Sequence, residues 1–94
     1  MQKYFHVGDY TEDLSQFFYE KLPSGVIIEK IEVLMDENGH DYLYVRYWFD
    51  NGSNQILERL IDDSFVKTIK YVIDRISKYY QAYQEIKSTK RLER

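Results

Sequence analysis

Seven side chains in the last third of the chain fall on a four-three rhythm. Phe65, Ile69, Val72, Ile76, Tyr79, Tyr83 and Ile86 are separated by 4, 3, 4, 3, 4 and 3 residues, the spacing that keeps one stripe on one side of a helix. A rod of this kind must bury its stripe, so the residues before it have to supply the matching surface. The stripe is aliphatic as far as Ile76 and dominated by tyrosine beyond it. The first half is therefore expected to be buried within the chain. Tyr79, Tyr83 and Ile86 are expected to form an oligomer contact, with a homodimer as the simplest assembly.

The rest of the chain reads as the body that carries this rod. Asp9 stands three residues before Glu12, the capping-box spacing with Asp as the cap. Leu14, Phe17, Phe18 and Leu22 follow at helical intervals. The pattern predicts a helix from about Tyr10 to Leu22, stopped by Pro23-Ser24-Gly25. Val26 to Met35 is rich in branched residues, and Asn38-Gly39 marks a reversal. Tyr42 to Phe49 alternates Leu43, Val45, Tyr47 and Phe49 with Tyr42, Tyr44, Arg46 and Trp48, which predicts a strand. Asn51-Gly52 marks a second reversal. Gln55 to Leu60 reads as a third strand, although Ile56, Leu57, Leu60 and Ile61 suit a helix equally well. Asp62-Asp63-Ser64 supplies acids and a cap for the final helix, predicted from about Ser64 to about Ser88 with Lys87, Lys90 and Arg91 near its negative end. Ahead of all this, Tyr4-Phe5-His6-Val7 reads as a short strand or an anchoring arm, ended by Gly8.

The expected class is α+β: a helix, a three-stranded antiparallel meander and a long C-terminal helix, with a short N-terminal strand as an addition. Residues 1–94 read as one domain, with the part from about 79 to 94 projecting. Strands of about eight residues span roughly 27 Å. A helix of about 25 residues spans roughly 37 Å, which leaves about two turns without support.

Charge is distributed unevenly. Met1 to Asp63 holds 13 acids against 5 Lys/Arg, a net of −8, and Ser64 to Arg94 holds 3 acids against 8 Lys/Arg, a net of +5. An acidic body joined to a basic helix is complementary to its own copy, and it is steered toward basic partners. There is no cysteine, which excludes disulfide and thiol chemistry and fits a reducing cytoplasm. No stretch approaches the roughly 20 apolar residues of a membrane span, so no membrane partner is expected. His6 and His40 are the only histidines, and neither has a neighbour that would complete a triad or a metal pair. No enzyme activity, metal or cofactor is expected. Asp36-Glu37-Asn38-Gly39-His40-Asp41 is too short for a calcium loop and lacks its distal Glu, so it reads as a turn.

The aromatic fraction is 17%, with 10 tyrosines, and it concentrates chemistry on one strand face. Tyr42, Tyr44, Arg46 and Trp48 form a ladder that meets solvent if both helices pack on the other side of the sheet. With one helix on each face, the ladder becomes core. Exposed, it offers the Trp, Tyr and Arg side chains that anchor protein interfaces, or rings on which bases stack. Together with the acids Asp36, Glu37 and Asp41 it forms the expected partner-binding set.

The order helix, three strands, helix is similar to that of double-stranded-RNA-binding domains. Where that family presents a lysine cluster, this chain has Asp62-Asp63-Ser64-Phe65, so the phosphate clamp is missing. In size, acidity and element order the chain also resembles small phage-encoded inhibitors of host defence nucleases, anti-CRISPR proteins among them. That resemblance implies a small acidic inhibitor or adaptor binding a host protein, such as one that itself binds nucleic acid. The second expectation is a nucleic-acid binder using the basic helix and the aromatic face.

Overall fold

Two glycines set the geometry of the sheet. Gly39 and Gly52 have φ of 83° and 86°, the left-handed region that glycine enters without steric cost. The Gly39 N–H donates to the Asp36 carbonyl at 3.1 Å, and the Gly52 N–H to the Phe49 carbonyl at 2.9 Å. Each loop is closed by a second bond, from Asp36 N–H to the His40 carbonyl at 2.9 Å and from Phe49 N–H to the Ser53 carbonyl at 3.1 Å. Both are short hairpin loops ending in a left-handed residue.

The structure, a computed structural model, describes the backbone of residues 3–92 and the side chains of residues 3–87. The expected side chains of Lys90 and Arg91, and the end of the projecting part, lie outside the described residues. The elements in order are β1 (Phe5–Asp9), α1 (Thr11–Lys21), β2 (Val26–Met35), β3 (Asp41–Phe49), β4 (Asn54–Leu60) and α2 (Phe65–Leu92). The fold is α+β, with a four-stranded antiparallel sheet in the order β1-β2-β3-β4. The short N-terminal segment is a strand, and Gly8 lies inside it at a register shift rather than at its end. The segment that suits helix or strand equally is strand β4, because the Asn51-Gly52 reversal delivers it against β3 in continuous register.

Strand β2 contains a break in alternation that decides the architecture. Val26 and Ile28 are buried, and so are Ile31 and Val33. A register shift between Ile28 and Lys30 inserts one extra residue, so both halves point the same way. Without it, Ile31 and Val33 would turn to the opposite face. These four join Leu43, Val45, Tyr47 and Phe49 of β3 in a single core. Phe18 of α1 and Ile69, Val72, Ile73, Ile76 and Tyr80 of α2 cover them, so both helices pack on one face.

The expected stripe of α2 shifts along its length. Tyr80 is buried at 8% exposure, whereas Tyr79 is 38% exposed. A straight helix has 3.6 residues per turn and drifts by about 20° per heptad against a four-three pattern. By the fourth turn the buried edge has moved from Tyr79 to Tyr80. The tyrosines expected to overhang are also partly covered. Tyr83 stacks on Phe49 at 5.5 Å between ring centroids, and Tyr80 meets Phe49 edge-on at 5.2 Å. The Tyr80 hydroxyl donates to Asp50 at 2.8 Å. Gly25 lets this ring in, since a Cβ there would collide with the Tyr80 hydroxyl.

Candidate functional site

Because both helices lie on one side, no element among the described residues covers the other face of the sheet. From β3 it presents Tyr42, Tyr44, Arg46 and Trp48, each half-buried by strand neighbours rather than by a covering layer. Register places Leu34, Glu32, Lys30 and Ile27 beside them from β2, and Leu60, Glu58, Ile56 and Asn54 from β4. Tyr4, just before β1, lies against this surface, meeting Tyr42 edge-on at 6.0 Å. Ile27 and Ile56 are 54% and 51% exposed. The result is an aromatic band flanked on both sides by exposed aliphatic residues, the composition that marks binding surfaces.

The polar groups of this face are tied to one another. Glu29, the residue at the bulge, accepts from the Trp48 indole N–H and from Arg46 at 3.4 Å. Arg46 also donates to the Tyr44 hydroxyl at 3.0 Å, and this bond is the main cause holding its guanidinium above the ordinary value. Lys30 pairs with Asp9 at 2.9 Å. The Asp9 carboxyl is held well below the usual carboxylate range, first by the Thr11 backbone N–H, then by the Thr11 hydroxyl and by Lys30. His6 lies 3.5 Å from Glu32. Partial burial and the neighbouring Glu58 raise the Tyr4 phenol. The two basic side chains in the band are therefore already neutralised, while Glu58 and Glu32 leave its balance acidic. A phosphate backbone needs free cations, and this face does not offer them.

The expected partner-binding acids do not converge on this band. Asp36 is buried at 6% exposure, and its Oδ1 accepts the N–H groups of Asn38 at 3.0 Å and His40 at 2.9 Å. These backbone donors, His40 first, lower its pKa. Asp36 is thus a loop-forming residue, which the Asp-x-Asn-Gly pattern signals as turn chemistry. Glu37 is exposed in the same loop. Asp41 opens β3 opposite Met35, out of phase with Tyr42 and Tyr44. Asp9 is a partner to the helix start rather than its cap: its Oδ1 accepts the Thr11 N–H at 2.9 Å, and the cap residue Tyr10 makes no side-chain cap bond.

Of the expected oligomer residues, Tyr79 and Ile86 remain open, the latter 59% exposed. With Tyr83, Ala82 and Gln55 they line a shallow cleft of about 350 Å³ between α2 and the start of β4. A second apolar groove of about 370 Å³ separates α1 from α2 and is lined by Leu14, Phe17, Val66 and Ile69. Sequence reasoning missed Ile27, Ile56 and Tyr4 as members of the open face. The signal was available for Ile56, which alternates in phase with Glu58 and Leu60. For Ile27 it was hidden by the bulge.

Among the described residues no three His, Cys, Asp or Glu side chains gather in a metal-binding group, and no helix is long and apolar enough to cross a membrane. No family model, curated protein or solved structure matches this chain.

Proposed function

We propose that the chain is a non-catalytic protein-interaction module, a small acidic inhibitor or adaptor of the phage-encoded kind that acts in the cytoplasm. Its docking surface is the open sheet face, centred on Tyr44, Arg46 and Trp48 and bordered by Ile27 and Ile56. The occupant is a basic protein surface with apolar contacts, of the sort a nucleic-acid-binding host protein carries.

One observation supports this reading above others: among the described residues no element covers a wide aromatic face, and its cations Arg46 and Lys30 are internally paired. Trp, Tyr and Arg in a partly desolvated cluster are the residues that dominate protein interfaces. The net of −8 over Met1 to Asp63 favours a basic partner and speeds encounter with it.

The test immobilises the full chain and passes nuclease-treated lysate over it, beside an Ile27→Asp/Ile56→Asp variant checked for its far-UV signal. The expected result is a basic protein retained by the wild type and lost from the variant. Equal retention by both would sink the proposal. So would binding to oligonucleotides that weakens steeply with salt, because that is the signature of phosphate-driven association.

A further inference from the structure

The two edges of the sheet differ in kind. Edge strand β1 is 5 residues long and interrupted at Gly8, a short and irregular edge of the sort that resists pairing. Edge strand β4 is 7 residues long, and its register against β3 runs unbroken from Trp48↔Asn54 to Tyr42↔Leu60. A regular edge with exposed Ile56 and Leu60 is a template for another strand. One flank of α2 packs along it. Tyr71 is held there by Arg59 of β4, 3.9 Å from the ring centroid. Tyr79, Ala82 and Ile86 continue the same flank toward the start of β4.

We propose that this side of the molecule takes a second copy of the chain. The two β4 strands pair antiparallel about a two-fold axis perpendicular to the sheet, giving one continuous eight-stranded sheet. Such an axis keeps both α2 helices on the same side, so Tyr71, Tyr79 and Ile86 of each copy face the helix of the other. An isologous contact of this kind closes on itself as a dimer.

Register follows from the strand itself. Centring the axis on Leu57 pairs all of Asn54–Leu60, with Gln55 opposite Arg59 and Ile56 opposite Glu58. Centring on Glu58 would set that carboxylate against its own copy, which is unfavourable. Centring on Ile56 would leave Arg59 and Leu60 unpaired.

Charge points the same way. Asp62 and Asp63 follow the end of β4, while Lys87 lies toward the far end of α2; Lys78, at the middle of the helix, pairs with Asp74 of its own chain at 3.2 Å. Antiparallel pairing brings the acidic end of one copy beside the basic end of the other. This inference does not rest on the open-face reading, although Ile56 borders both surfaces, and its test involves no other protein.

The test is the mass of the full chain by light scattering, combined with cross-linking. The chain has no cysteine, so single replacements report without background. The expected mass is twice the 11.5 kDa of one chain, falling toward one chain in Ile86→Glu and in high salt. Leu57→Cys should oxidise to a covalent dimer, and Val7→Cys on the other edge should not. Leu57 also touches the core, so a mixture of Gln55→Cys and Arg59→Cys proteins provides a second probe. That mixture should form the mixed disulfide. A single-chain mass at every concentration would overturn the proposal, as would a dimer in which Val7→Cys links and the β4 probes do not.

Discussion

The two faces of one sheet are made from the same strands, yet they have different fates. On β3, Leu43, Val45, Tyr47 and Phe49 point to one side, and all are at most 4% exposed. Tyr42, Tyr44, Arg46 and Trp48 point to the other and remain half-exposed. Both sets are large and largely apolar, so hydrophobicity alone does not separate them. What separates them is polar pairing. Arg46, Glu29, Lys30 and Asp9 interleave the open face and satisfy one another, whereas the covered face has aliphatic neighbours and two helices. An apolar helix laid over these charged pairs would strip their water and return nothing, whereas a partner surface with polar groups of its own can match them.

The sharpest way to break this contrast is to remove a side chain from the covered face. Phe18 is fully buried at 0% exposure. Phe18→Ala is expected to lose about 3–5 kcal/mol of stability, read as a lower denaturant midpoint. That is a large part of the roughly 5–15 kcal/mol available to a domain.

A second, smaller effect is set by pH. The Asp50 carboxyl is held below its ordinary value by the Tyr80 hydroxyl first and the Tyr83 hydroxyl second. A lowered folded pKa gives stability that is present above the unfolded carboxylate value near 3.9. It is lost as pH falls through the folded value. Denaturant unfolding followed downward through the acid range should therefore show a decline that is shallower in Asp50→Asn. An identical slope in the variant would count against this anchor for α2.

The smallest effect is expected on the open face. Ile27→Ser, at a site 54% exposed, should change stability by no more than about 0.5 kcal/mol. A loss several-fold larger, measured by the same unfolding curve, would mean that the two faces are less distinct than their exposures indicate.

The parts of this fold written in short-range patterns were legible from sequence. Val26–Met35 has the bounds the branched residues predict, and the alternation of β3 defines both faces. Both Asn-Gly pairs mark reversals. The parts that depend on long-range geometry were not legible. The extra residue at Glu29 has no local signature, because Ile27-Ile28 and Ile31 read as a plain apolar run. Tyr79 and Tyr80 are adjacent tyrosines, and only the drift of a straight helix against the sheet chooses between them. Asp36 looks like a surface acid until its loop closes around it. For the candidate site, the ladder was visible as a set, but its exposure depended on where α1 would pack. That in turn follows from β2 turning all four of its buried residues to one side.

Trp48 is the only tryptophan in the chain, and it stands on the open face with its indole N–H engaged by Glu29. The molecule therefore carries its one indole at the spot where recognition is expected, while the interior holds tyrosines such as Tyr47. Emission from this single indole follows events on that surface without a label, while the tyrosines on the opposite side follow the integrity of the packing beneath the helices.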